Sequence, residues 1–410
     1  MNELILRKYA KLGVIMGANV QKGQALIINT SVEAVEITRY AVEAAYEAGA
    51  SEVIVNWNDD QISRMHYESQ SVETLCDVKD WMVEQRVSKL RDGACVLHII
   101  SDVPGVLKGI DPNKITQSLK ARSEKFKEAR EITMGNKTQW SIIAVPNLRW
   151  AKQVFPQLED QAAIDALWDS ILAAVHVNAD SDPIELWEKH NQAIQERQDR
   201  LNELNFKSLH FKNDLGTDIE IELVKNHIWG GGNEETTKGV EFNPNMPTEE
   251  IFSMPYKYGV NGKVVTTKPL DYNGTLINEF TLTFENGKVV EYSASNDYDT
   301  LKSLIEFDEG SAYIGEVALV PFHSPISMSN ILYFNTLFDE NASCHLALGC
   351  AYPMNIKGGT SMSQEQLNEA GSNYSMEHVD FMFGSECMEI IGTKYDGTKV
   401  QVFKKGDFVF

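Results

Sequence analysis

The sequence predicts an α/β plus α+β protein: an N-terminal domain with βαβ units and a parallel sheet, followed by a C-terminal β-rich α+β domain. Three observations carry this expectation. Helix and strand signals alternate through the first half. After about residue 205 the texture changes to short alternating runs separated by turn signals. In that second half, glutamate, histidine and aspartate recur inside apolar runs. The domains are expected at 1–204, ending in a connecting helix, and at 205–410.

The N-terminal elements follow in order. Y-A-K-L-G-V-I-M-G reads as an amphipathic helix ending at a glycine. Gly23 to Asn29 reads as a buried strand, Val32 to Glu47 as a helix closing at Ala48-Gly49-Ala50, and Ser51 to Trp57 as a second strand. Strand, helix, strand over so short a span is a βαβ unit and implies a parallel sheet. Ala94 to Ile100 and Trp140 to Val145 extend it, with the helical N-K-I-T-Q-S-L-K-A-R-S-E-K-F-K-E-A-R between them. The charged stretch Pro183 to Leu204 reads as a partly solvated connecting helix. Beyond it, the Asn-Gly pairs at 261–262 and 286–287 and the Asp-Gly pair at 396–397 are hairpin signals.

Composition bounds the function. Hydrophobic residues make up 43% of the 410 positions, ample for packed cores. The formal net charge of −22 argues against a nucleic-acid partner, whose phosphates call for a basic surface. The N-terminal stretch does not read as a signal peptide, and no apolar run reaches a membrane-spanning length, so no membrane partner is expected. Five cysteines without a C-x-x-C pair favour reduced thiols and a cytoplasmic location. Neither G-x-G-x-x-G after the first strand nor G-x-x-x-x-G-K-[ST] occurs, so nucleotide binding has little support. H-E-x-x-H and G-x-S-x-G are absent too, which sets aside zincin and α/β-hydrolase chemistry. The glycine-rich runs at Trp229 and Lys357 read as flexible loops.

The candidate chemistry lies among scattered carboxylates and imidazoles. Glu316 interrupts the apolar A-Y-I-G-E-V-A-L-V-P-F, where burying a lone carboxylate is costly; the bland alternative is a strand-edge glutamate facing water. Gly315 beside it permits close approach of another group. His345 in N-A-S-C-H-L-A-L-G could be an ordinary core histidine, and Glu340 a loop or helix-end charge. Glu249 and Glu250 could be first-turn acids of a helix capped by Thr248. His378 and Asp380, two apart, share one strand face and are either a bonded core pair or metal ligands. Taken together, Glu316, Glu340, His345, His378 and Asp380, with one of Glu249 and Glu250, exceed one four-coordinate site. They suit a two-metal cluster in which a shared carboxylate bridges ions about 3.5–4 Å apart.

N-M-P-T-E-E-I-F, Y-I-G-E-V-A-L-V, L-F-D-E-N-A-S-C-H-L-A-L-G-C-A-Y and H-V-D-F-M-F-G, in that order, resemble the M29 family of metallo-aminopeptidases. The resemblance covers nearly the whole chain. It implies two divalent ions (zinc, cobalt, manganese or magnesium) in a catalytic C-terminal domain, held by Glu250 rather than Glu249, Glu316, Glu340, His345, His378 and Asp380, with Glu316 bridging, and Tyr352 beside the metals. It further implies hydrolysis of the N-terminal residue of short peptides, with Tyr352 and Glu316 in catalytic roles, Glu249 as a second candidate for moving the proton, and a homodimer. The rivals are another bimetallic amide or ester hydrolase and a metal-stabilised binding protein.

Overall fold

A computed structural model describes residues 1–101, 103–272 and 275–410. The first half builds a parallel sheet from β1 (Ala25–Ser31), β2 (Glu52–Asn58), β3 (Cys95–Ile100) and β4 (Trp140–Ala144), ordered β2-β1-β3-β4. Leu26, Ile27 and Ile28 are buried in β1, as a strand covered on both faces requires. Parallel pairing needs a crossover, and the helix Val35–Glu47 supplies it, entered through Ser31, whose hydroxyl accepts the Glu33 N–H. The single helix expected between β3 and β4 is two, Pro112–Lys125 and Lys127–Met134, meeting at Phe126.

The second half is antiparallel. It runs through β5 (Phe206–Lys212), β6 (Asp218–Leu223), β7 (Ile251–Ser253), β8 (Pro255–Val265), β9 (Thr281–Glu285) and β10 (Lys288–Ser293). It continues through β11 (Ile314–Leu319), β12 (His345–Gly349), β13 (His378–Met382), β14 (Glu389–Lys394), β15 (Lys399–Lys404) and β16 (Asp407–Phe408). A large sheet has the order β10-β9-β8-β6-β5-β14-β15-β16, and a smaller one the order β13-β12-β11-β7. One apolar core, from Phe206 and Phe211 of β5 to Ile314 and Val317 of β11 and Leu346 of β12, joins them.

Two expected turns form as hairpins: Asn286-Gly287 joins β9 to β10, and Asp396-Gly397 joins β14 to β15. Asn261-Gly262 does not turn. It lies inside β8, where Gly262 at φ 119° faces Ile219 of β6 and a Cβ would stand 2.3 Å from the Asp218 carbonyl oxygen. The glycine serves close strand approach, and the Asn261 side chain accepts the Asn286 N–H at 2.8 Å, bracing the neighbouring hairpin.

The chain clusters into two compact units, Met1–His190 with Asn233–Pro247, and Asn191–Gly232 with Thr248–Phe410. The connecting helix Pro183–Leu204 contributes to both units, which meet in sequence at His190 and Asn191. Ile194, Leu201 and Leu204 at that helix's C-terminal end belong to the core of the second unit. Residues 233–247 rejoin the first unit because their end runs beside β4: the Ile142 N–H donates to the Pro244 carbonyl at 2.8 Å and the Met246 N–H to the Ile142 carbonyl at 3.1 Å.

Candidate metal centre

Three neighbouring strands bring the predicted residues to one face of the smaller sheet. Glu316 of β11 lies opposite Ala347 of β12, which lies opposite Asp380 of β13. His345 is two residues from Ala347, and His378 two from Asp380, so the period of two puts all four polar groups on that face. The small Ala347 side chain between the carboxylates leaves them room. The register shifts between Ile314 and Glu316, and a Cβ on Gly315 would meet the Gly349 and Cys350 carbonyl oxygens at 2.4 Å. That glycine lets β11 bulge where Glu316 is delivered.

Glu250 arrives from the segment leading into β7. No helix forms there, so Thr248 is not a helix cap; Phe252 of β7 pairs with Ala318. Glu250 shares the parity of Phe252, whereas Glu249 has the opposite one. The glycine-rich run at Trp229 is structural, because Gly230 and Phe252 exchange two backbone hydrogen bonds that extend pairing alongside β7. Asn355 adds a side-chain donor to the Phe252 carbonyl at 3.2 Å.

The result is two triads with one shared member. Glu250, Glu316 and His345 gather with donor atoms within 4.8 Å of one another, and Glu316, His378 and Asp380 do the same. His345 Nε2 lies 3.1 Å from Glu250 and 3.6 Å from Glu316; His378 Nε2 lies 3.6 Å from Glu316 and 3.4 Å from Asp380. Both rings are held from behind: His378 Nδ1 meets the Cys350 carbonyl at 2.7 Å, and His345 Nδ1 meets the Ser343 carbonyl at 3.2 Å. A proton on each Nδ1 leaves Nε2 to face the carboxylates, the arrangement that orients a ligating histidine.

Glu340 is outside both triads. It lies at the end of the short helix Thr336–Asp339 and contributes through charge. Tyr352 packs its ring on His378, centroids 4.6 Å apart, and edge-on to Phe252 at 6.1 Å. Glu249 belongs to neither triad among the described residues; burial pushes its carboxyl up to about 7, against the opposing charge of Arg197.

The electrostatics are those of crowded, dehydrated acids. Burial raises the Glu316 carboxyl, although His345 and His378 oppose it. Burial and the neighbouring Glu250 and Asp380 hold Glu340 well above the usual carboxylate range. Burial would lower His345, but its bonds to Glu250 and Glu316 outweigh that and raise it well above an ordinary imidazole. His378 likewise, despite burial, rises to about 9 beside Asp380, which is itself lowered by His378 in spite of its burial. The Tyr352 phenol is driven far up by burial and then by the carboxylates of Glu316 and Asp380. Protons are thus drawn into the cluster to offset charge that burial makes costly. Buried Asp380 Oδ1 faces His378 Nε2 at 3.4 Å without a hydrogen bond of good geometry. A mixed oxygen and nitrogen set with surplus negative charge and a weakly satisfied carboxylate oxygen fits divalent cations.

Several supporting residues escaped sequence reading. Asn341, wholly buried, accepts the Glu249 N–H at 2.7 Å and donates to the Leu337 carbonyl at 3.0 Å, tying the Glu250 segment to the Glu340 turn. Asp308 receives the Met376 N–H at 2.7 Å and the Ser375 hydroxyl at 2.9 Å, fixing the approach to β13. An asparagine or aspartate beside apolar runs was the only signal available for either.

Residues 2–408 match the model of the thermophilic metalloprotease (M29) family. The chain is 44% identical over 405 residues to aminopeptidase AmpS of Bacillus subtilis, covering 99% of this chain and 98% of that one. Aminopeptidase 2 of Geobacillus stearothermophilus is 43% identical, with the same coverage. The solved structure of wild-type AmpT from Thermus thermophilus superposes with a TM-score of 0.93 at 37% identity, covering all of both chains. With that match spanning both units and the sheet that carries the two triads, the chain belongs to the M29 family of metalloproteases.

Proposed function

We propose that this protein is a co-catalytic two-metal aminopeptidase that hydrolyses the N-terminal residue of short peptides. The observation that carries the reading is the pair of triads sharing Glu316. Relatives named as aminopeptidases along the full length support the reaction class. In this reading Glu250, Glu316 and His345 would hold one ion, and Glu316, His378 and Asp380 the other, with Glu340 available as a further oxygen donor. Two divalent ions, zinc, cobalt, manganese or magnesium, would polarise the scissile carbonyl and acidify water.

The remaining chemistry falls to the chain. Tyr352, kept protonated by its surroundings, donates a hydrogen bond to the oxyanion as it develops. Surplus carboxylate charge receives the substrate's α-ammonium group. The proton reaches the leaving amine on a carboxylate, Glu316 or, where its two oxygens would be taken up by bridging, Glu249. Backbone carbonyls behind both histidines hold the rings in one tautomer throughout. The reading includes a homodimer in the cytoplasm, and all five cysteines are free thiols, as a reducing compartment favours. No described helix is long and apolar enough to cross a membrane.

The test is release of leucine from Leu-Gly-Gly by chelator-stripped protein, before and after cobalt or zinc is returned, with the N-acetylated peptide as control. Metal-dependent release from the free peptide alone is expected. Absence of release with two ions bound per chain by elemental analysis would point to another hydrolase or to a binding protein.

A further inference from the structure

The parallel sheet of the first unit carries a polar row where its core should continue. Asn56 of β2, Asn29 of β1 and His98 of β3 lie side by side in register. Two residues earlier on the same face the row is Ile54, Ile27 and Val96, packed with Leu90 and Ile132. A parallel sheet covered on both faces normally stays apolar along its strands. Here Ile27 and Val96 are 5% and 3% exposed, whereas the three polar side chains above them are open in part to solvent. Asn56 Nδ2 donates to Asn29 Oδ1 at 3.0 Å, and among the described residues that is the only hydrogen bond the three side chains make. Asn29 Nδ2 and the His98 ring are left to face the opening.

The opening lies where the chain divides. Thr30, next to Asn29, points to the other face, and its hydroxyl meets that of Thr38 in the helix Val35–Glu47 at 2.9 Å. The connection leaving β1 therefore crosses on that face. The connection leaving β3 crosses on the Asn29 face, where Ile132 of Lys127–Met134 joins Ile27 and Val96. Neighbouring parallel strands whose connections part in this way leave a crevice at their carboxyl ends, the usual place for a ligand in such sheets. Asn29 and His98 stand two residues short of those ends, Ser31 and Ile100.

Positive charge overhangs the crevice. The helix Asp80–Arg91 feeds β3 through Gly93, so its earlier turns lie toward the carboxyl ends. Leu90 packs in the apolar row, and Arg86 is one turn before it. A turn rises about 5.4 Å and two strand residues about 6.6 Å, so Arg86 stands over the polar row. Burial, and then the Arg86 charge, hold His98 down to about 4, which leaves a neutral ring with one N–H to donate. Arg86 also lies over the Phe126 ring at 5.4 Å and feels the charge of Arg122. Neither guanidinium has an ion-pair partner among the described residues, although the chain holds 59 acids against 37 lysines and arginines. The acids of the same helix are engaged elsewhere, Asp80 with Lys125 and Glu84 with Arg91, both at 2.8 Å.

We propose that this crevice binds a small oxyanion, a phosphate or carboxylate group, with Arg86, Asn29 and His98 as its donors and Arg122 at its rim. A planar guanidinium with amide and imidazole N–H groups beside it matches such oxygens. No glycine-rich turn follows β1, so the fit is to a single anionic group and not to a dinucleotide. The site stands apart from the metal centre and does not depend on the reaction proposed there.

The experiment titrates metal-loaded protein, isotope-labelled at the histidine Cε1 carbon, with sodium phosphate and separately with sodium acetate at constant ionic strength. The His98 resonance is identified by its loss in His98→Gln. A saturable shift of that resonance is expected. Its affinity should fall by about tenfold or more in Arg86→Gln and in the same direction in Arg122→Gln. Lys120→Gln, which removes one positive charge from the exposed face of the helix Pro112–Lys125, should stay within about twofold of wild type. Saturation by phosphate alone assigns a phosphate group, by acetate alone a carboxylate, and by both a general oxyanion site. A shift that does not saturate with either ion would overturn the proposal, as would unchanged affinity in folded Arg86→Gln and Arg122→Gln.

Discussion

The Asn341 side-chain oxygen accepts the backbone N–H of Glu249 at 2.7 Å, in a position closed to water. This one bond joins the segment delivering Glu250 to the turn delivering Glu340. Asn341→Leu keeps the volume and orphans both the Glu249 N–H and the Leu337 carbonyl. It should cost about 2–3 kcal/mol in urea unfolding and weaken metal binding by about 10–100-fold in a competition titration. Unchanged metal affinity would show that the bond is purely structural.

Glu316 is the shared member of the triads, so its loss should strike both. Glu316→Gln should reduce bound metal by elemental analysis and lower kcat/KM by about a thousandfold or more. A variant that binds two ions with wild-type affinity would refute the bridging role.

Tyr352→Phe separates a binding role from a chemical one. The ring packing on His378 and Phe252 survives, and only the hydroxyl goes. Metal content should be retained while kcat falls by about a hundredfold or more. Wild-type kcat in this variant would exclude the phenol from the transition state.

Gly315→Ala should destabilise the protein by about 2–4 kcal/mol, since the new methyl group would meet two backbone carbonyls that cannot move independently of β12. Far-ultraviolet circular dichroism during urea unfolding reads this directly. A loss under about 0.5 kcal/mol would show that the bulge can be relieved elsewhere.

His98 gives the first unit an acid-sensitive element. It lies in β3 opposite Asn29 and Ile142, where burial, and then the charge of Arg86, push the imidazole down to about 4. The unfolded chain takes up a proton near pH 6.5 and the folded one does not. The stabilisation is therefore full above about pH 6.5 and is lost as pH falls toward 4. Residual exposure of the side chain keeps the loss to about 1–3 kcal/mol. His98→Gln should flatten that part of the profile, seen as a wild-type-minus-variant difference in unfolding free energy that shrinks from pH 7.5 to pH 4.5. A constant difference would show that His98 has the same pKa in the folded and unfolded chain.

The parts legible in the sequence were those set by local pattern. The apolar run 26–28 and the helix before Glu52 dictate a βαβ unit, and the period of two correctly puts His378 beside Asp380. The approach of β11, β12 and β13 is non-local, so convergence of Glu316 with both histidines could be expected only through resemblance. Asn261-Gly262 shows the limit of a turn signal: glycine answers equally to a turn and to a close strand, and only the Asp218 backbone decides. Asn341 acts through backbone groups, which carry no residue identity and leave no mark at the positions they serve.

Residues 244–246 lie along β4, the edge of the parallel sheet, although some forty residues of the other unit's chain precede them after His190. During synthesis that edge stays unpaired until residue 247 has left the ribosome, well after every strand of the sheet is complete. A nascent chain halted before that point presents an open strand edge to its neighbours on the same message. In the interval between making β4 and covering it, newly made copies of this protein expose an edge along which they can pair with one another.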